Sequence, residues 1–242
     1  MKPQLDETLG RLIQKTVLMI REPVEADPGR TVSKFGGLPY MTHGEIWPVC
    51  MGCKSPLSFI CQVDLGQTTP AVLPGGFFTF FYCRACAPWG APDEQEGLWI
   101  VRFYPTSDLA AMGDTEIPET EETRCCRIRF ETVSSLPSWR GLDRVSLEAK
   151  HIAKTIDPGD PQDAYDKAVE RIVGARDAYS RLWGYPDWVQ DDETPASGVF
   201  LAQIESEADA DLMWGDAGCP YLFFVSPPLP PPHGKADRPV II

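Results

Sequence analysis

The chain of 242 residues carries 35 acidic and 22 basic side chains, for a formal net charge of −13, and 43% of its residues are hydrophobic. That balance excludes a protein that grips phosphate backbones or anionic membranes through bulk charge, and it favours basic protein partners. Nothing approaches the ~18 apolar residues of a membrane span, and a chain of this size buries roughly 70–75% of its unfolded surface, enough to fold without disulfides.

Residues 4–15 predict a short amphipathic helix with Leu5, Leu9, Leu12 and Ile13 on one face. Asp6, Glu7, Arg11 and Lys15 interrupt any signal-peptide core. A cytoplasmic, reducing compartment is therefore expected, where the eight cysteines serve as metal ligands more readily than as disulfides. Thr16 to Ile20 is β-branched and apolar and predicts a strand. Asp27 to Tyr40 is rich in Gly and Pro and predicts a structured loop.

The segment PLSFICQVDL alternates. It sets Leu57, Phe59, Cys61, Val63 and Leu65 on one strand face and Ser58, Gln62 and Asp64 on the other. A turn at Pro74, Gly75 and Gly76 leads into an aromatic strand from Phe77 to Tyr82, and Leu98 to Tyr104 and Cys126 to Val133 predict two more. Residues 108–122 are acidic, lack periodicity and read as a surface loop. From Pro161 to Leu182 the spacing of Tyr165, Ala168, Val169, Ile172, Ala175 and Tyr179 predicts one longer helix, stopped by Gly184 and Pro186. Pro227 to Pro232 predicts an extended polyproline segment.

Two cysteine pairs of equal spacing, Cys50-x-x-Cys53 and Cys83-x-x-Cys86, are separated by 29 residues. Two such turns brought together make a closed tetrahedral thiolate cage, the usual form of structural zinc. A redox dithiol and plain buried thiols are the rival readings. The redox form sits at a helix N-terminus, whereas here Trp47 and Pro48 precede a turn and Lys54, Ser55 and Pro56 lead into a strand. Cys61 and Cys126 fall on apolar strand faces, Cys125 faces outward, and Cys219 precedes Pro220 in a turn. Of the three histidines, His43 lies seven residues before Cys50 and reads as a loop residue. No HExxH, GxSxG, P-loop or GxGxxG sequence is present.

The pattern also repeats. Gly37-Leu38-Pro39, Phe59-Ile60-Cys61-Gln62-Val63-Asp64 and the strand after Gly76 form one copy. Gly184-Tyr185-Pro186, Phe200-Leu201-Ala202-Gln203-Ile204-Glu205 and the strand after Gly218 form the other. The expected fold is therefore mainly β (α+β), a duplicated β-rich roll with a pseudo-twofold repeat. Its first copy spans about residues 31–105, with the cysteine turns, and its second about residues 183–226, within a single domain of 1–242. Gln62, Asp64, Gln203 and Glu205 then take matching places. With Trp188 and Trp214 they are expected to border a groove between the copies, where the carboxylates offer acid–base chemistry or simply accept turn hydrogen bonds.

The stretch SKFGGLPYMTHGEIWPVCMGCKSPLSFICQVDL, together with WGYPDWVQ, FLAQIES and WGDAGCPYLFF, resembles the YwqG-like family of bacterial proteins of unknown function over about residues 10–226. Over about residues 30–105 the chain also resembles the N-terminal part of the programmed cell death protein 2 family. That resemblance implies a cytosolic chaperone for a ribosomal protein, but the chain departs from its pattern after residue 105. The two resemblances imply a β-rich roll built by duplication. The combined expectation is a cytoplasmic, zinc-stabilised protein-binding module, adaptor or chaperone-like, with an acidic surface for a basic client and no nucleic-acid or membrane partner. A toxin-neutralising immunity protein and an enzyme using the Asp64 and Glu205 carboxylates are the alternatives.

Overall fold

The computed structural model describes residues 1–68, 76–87, 97–105, 113, 116–120, 123–175, 179–215 and 218–225. The turn residues Pro74 and Gly75, most of the acidic loop 108–122, Asp216 and the proline run Pro227 to Pro232 lie outside the described residues. The chain is mainly β. Its elements are α1 (Lys2–Gly10), β1 (Gln14–Pro23), β2 (Lys34–Phe35), β3 (Ser58–Asp64), β4 (Gly76–Tyr82), β5 (Trp99–Pro105) and β6 (Cys126–Ser135), then α2 (Leu142–Val145), α3 (Leu147–Ile156), α4 (Pro161–Val173), β7 (Arg181–Leu182), β8 (Gly198–Gln203) and β9 (Tyr221–Val225). The strands form a nine-stranded sheet in the order β5-β4-β3-β2-β6-β1-β7-β8-β9. The chain divides into two compact units, one of residues 1–19, 131–205 and 214 onward, the other of residues 20–130 and 206–213.

In the unit of residues 20–130 and 206–213, β3 and β4 form an antiparallel hairpin whose register slips between Phe59 and Cys61. The slip is why strict alternation fails to describe this strand. Ser58 to Val63 are all buried, on both faces. The two-residue β2 pairs Lys34 with Gln62 and Phe35 with Cys61, and on its other edge Lys34 with Arg127 and Phe35 with Cys126. Gln62 is wholly buried and spends its amide on the backbone. Its Oε1 accepts from Tyr40 N at 2.7 Å, and its Nε2 donates to Arg30 O at 2.8 Å and Val32 O at 2.7 Å. One side chain thus satisfies three main-chain groups of a loop that has no ladder of its own. Trp47, Phe59 and Phe81 pack as an aromatic triad, with centroids 5.3 Å apart for Trp47–Phe81 and 5.4 Å for Phe59–Phe81.

The other unit repeats this pattern with different residues. The β8–β9 hairpin slips between Phe200 and Ala202, and β7 pairs Arg181 with Gln203 and Leu182 with Ala202. Gln203 Oε1 accepts from Asp187 N at 2.8 Å, as Gln62 does from Tyr40. Ser180 Oγ accepts from Glu205 N at 2.9 Å, and Ser33 Oγ accepts from Asp64 N at the same length. Trp188, Phe200 and Phe223 form the matching triad, at 5.9 Å and 5.6 Å. Gly36 has a φ of +56° and Trp183 one of +60°. At Gly36 a Cβ would lie 2.0 Å from Thr123 O, so only glycine fits. Trp183 adopts the same left-handed backbone although it costs a side chain about 1–2 kcal/mol, and burial of the indole at 2% exposure offsets that cost.

The helices of this unit share one core, in which Leu5 and Leu9 of α1 meet Ala149 and Ile152 of α3 and Tyr165, Ala168 and Val169 of α4. Ser146 caps α3 through Ala149 N at 3.1 Å, and Asp160 caps α4 through Asp163 N at 3.0 Å. The expected helix from Pro161 to Leu182 ends early, because Gly174 takes a φ of +90°, and Arg181–Leu182 is strand β7 rather than helix. Likewise α1 stops at Gly10, and β1 begins at Gln14 and runs on to Pro23.

Removing the Gln62 amide leaves buried main-chain groups unpaired, each costing about 1–3 kcal/mol. Gln62→Ala is expected to lower unfolding free energy by roughly 3 kcal/mol or more. Gln203→Ala, which orphans fewer backbone groups, is expected to cost less. Urea denaturation of both variants measures the difference.

Candidate metal centre

The four predicted cysteines converge. The sulfurs of Cys50, Cys53, Cys83 and Cys86 all lie within 4.8 Å of one another, with Cys50–Cys86 at 3.7 Å and Cys53–Cys83 at 3.5 Å. Metal–thiolate bonds of about 2.3 Å in a tetrahedron place sulfurs roughly 3.8 Å apart, so the cluster fits a four-coordinate metal site. Cys50 and Cys83 are buried, while Cys53 and Cys86 are exposed.

The two turns that carry these sulfurs are built alike. Lys54 N donates to Cys50 O at 3.0 Å and Ala87 N to Cys83 O at 2.9 Å. The residue after each second cysteine takes a positive φ, +65° at Lys54 and +41° at Ala87, which folds the chain back so that both sulfurs face inward. Neighbouring backbone anchors the turns. Cys50 N donates to Ser55 O at 2.8 Å, Met51 N to Gly97 O at 2.9 Å and Cys83 N to Leu98 O at 2.9 Å. Trp47 Nε1 reaches Leu57 O at 2.8 Å and ties the turn to the aromatic triad beneath it. The thiols titrate apart. The Ser55 main-chain N–H and hydroxyl pull Cys53 down to about 6, and burial pushes Cys83 up to about 12. A cation among the sulfurs would favour the thiolate at every position.

The remaining cysteines stand apart from this cluster. Burial raises the Cys61 thiol far above its ordinary range. Cys126 Sγ donates to Asp209 O at 3.2 Å and Cys219 Sγ to Ile204 O at 3.4 Å. Cys125 is half-buried rather than fully outward, and burial pushes it up to about 11.

The residues expected to border a groove each have local partners. Gln62 and Gln203 hold backbone, as described above. Asp64 caps a turn, accepting from Gly66 N at 2.9 Å and Gln67 Nε2 at 3.0 Å. Glu205 accepts from Gln203 Nε2 at 2.5 Å, and burial raises its pKa. Trp188 is 6% exposed and Trp214 2%. Trp188 is a core member of its triad, and Trp214 Nε1 donates to Glu205 O at 3.1 Å. The sequence reading missed the exposed apolar residues of the first cysteine turn. Their signal was an Ile, a Val and a Met that belong to no periodic element. Among the described residues, no helix is long and apolar enough to cross a membrane.

A family model described as "Domain of unknown function (DUF1963)" matches residues 33–228. The match agrees with the YwqG-like resemblance carried by the motifs. No curated protein matches the chain.

Elemental analysis of the purified protein is expected to find about one equivalent of a divalent metal, released on acidification as the sulfurs protonate. Cys53→Ser is expected to remove the metal and open Trp47 to Leu57 to limited proteolysis first. A metal-free protein whose protease resistance is unaffected by Cys53→Ser would show that the cage plays no structural role.

Proposed function

The chain belongs to the DUF1963 family, and we propose that this member is a zinc-stabilised protein-binding module for a basic partner. The observation that carries the reading lies on the metal-held loop. There Ile46, Val49 and Met51 are 80%, 51% and 63% exposed. Large apolar side chains presented together on a turn fixed by a cage are what a binding surface requires, since their order is established before the partner arrives. Arg102 steadies the same loop, donating through Nη2 to Ile46 O at 2.9 Å and pairing with Glu45 at 3.0 Å.

Four soft thiolates in a tetrahedron select zinc over hard cations. A closed site of this kind supplies folding free energy and leaves no open position for a substrate. Charge argues for a basic client. The chain carries −13 overall, and the sequence between the second cysteine turn and Gly97 contains Asp93, Glu94 and Glu96 with no basic residue. A cytoplasmic location is part of the same proposal, since a thiolate cage suits a compartment that keeps thiols reduced.

The test is affinity capture from native lysate with the wild type and with Ile46→Ser/Met51→Ser. The double variant is expected to retain its zinc and lose a basic protein that the wild type captures. Equal capture by both, or recovery of nucleic acid in place of protein, would overturn the reading.

A further inference from the structure

Strand β5 ends the nine-stranded sheet, so its second edge has no strand beside it among the described residues. It pairs with β4 in unbroken register from Trp99 to Pro105. The main-chain bond from Cys83 N to Leu98 O at 2.9 Å sets the phase of that ladder. Opposed residues of an antiparallel pair alternate between two kinds. One kind exchanges both main-chain bonds, and in the other the N–H and C=O groups point away from the partner. Cys83 with Leu98 is of the first kind, and so by alternation are Phe81 with Ile100 and Thr79 with Arg102. Val101 and Phe103 are of the second kind, and their N–H and C=O groups point off the edge of the sheet. Among the described residues no main-chain group bonds to them there.

This edge also lacks the usual protection. Natural sheets shorten or bulge their edge strands, or load them with charge, lysine above all. Strand β5 is seven residues long, has no bulge and carries one charged side chain, Arg102. That charge is engaged, since Arg102 pairs with Glu45 at 3.0 Å and donates to Ile46 O at 2.9 Å. Pro105, which has no N–H, closes the run. The exposed apolar turn adjoins the same strand. Met51 N donates to Gly97 O at 2.9 Å, two residues before β5 begins, and Ile46 is tied to mid-strand through Arg102.

A row of main-chain donors and acceptors at strand spacing is complementary to another extended backbone. A second copy of this chain would bring its own net charge of −13 to the edge, which opposes association. Asp93, Glu94 and Glu96 precede the strand in the sequence and repel an acidic segment further, whereas a basic one is attracted. We propose that β5 takes an extended segment of the basic partner as an added strand, its main chain on Val101 and Phe103 and its apolar side chains beside Ile46 and Met51. The inference rests on the reading of the protein as a binder of basic polypeptides, and it assigns the conformation in which such a partner is held.

The experiment is residue-resolved amide hydrogen exchange of the full-length protein, with acetyl-Lys-Val-Lys-Val-Lys-Val-Lys-amide as the probe. In the free protein Val101 and Phe103 are expected to exchange fast and Ile100 and Arg102 slowly. The peptide is expected to slow Val101 and Phe103 by about tenfold or more, and the same peptide N-methylated along its backbone to leave them fast. Val101→Pro removes an outward N–H and no bond to β4, so it is expected to fold and to lose the peptide. Should the proline disturb the fold, Val101→Lys repels the basic peptide from the same place. Slow exchange at Val101 and Phe103 in the free protein, no change on adding the peptide, or equal protection by the N-methylated one would overturn the proposal. Protection that rises with protein concentration alone would also overturn it, by making a second copy the occupant. The two readings fail separately. If Ile46→Ser/Met51→Ser abolishes partner capture and the Val101 variants do not, the edge falls and the module stands. If neither change affects capture, the module itself falls.

Discussion

Four sulfurs drawn within 4.8 Å of one another cannot all carry charge at that separation without a cation among them, because like charges so close repel strongly in a partly buried site. This constraint organises the unit that carries the cage. It closes the end of β4 at Cys83 onto the loop that enters β3. It also fixes a turn whose backbone bonds, Cys50 to Ser55 and Met51 to Gly97, would be hard to hold in a segment so rich in exposed side chains. The aromatic triad of Trp47, Phe59 and Phe81 lies under that turn, so the sulfur cluster and the apolar packing meet on one piece of chain.

The second unit shows what the hairpin does without the paired cysteine turns. Its glutamine, its serine, its register slip and its Trp–Phe–Phe triad recur, so these are requirements of the hairpin itself. The cage is an addition to one copy, and the exposed Ile46, Val49 and Met51 come with it.

Much of this was legible in the residues. Equal cysteine spacing at two strand ends placed the cage, because sulfur ligation depends on local turn geometry that a four-residue motif encodes. The repeat placed Gln62 and Gln203 in one register, although their role as backbone clamps needed the third dimension. The strands β2 and β7 were illegible, since two residues display no period. Helix α3 was illegible because two of its three buried residues are Ala149 and Ala153, a stripe too small to stand out. The burial of Trp188 was likewise not legible in the residues, since it follows from stacking on Phe223 across the hairpin.

X-ray absorption at the zinc edge of the purified protein tests the central claim most directly. The account predicts a first shell of four sulfurs at about 2.3 Å with no nitrogen or oxygen, the spectrum of a closed cage. A shell containing light-atom ligands, or protein lacking zinc whose four cysteines are recovered as disulfides, would contradict it.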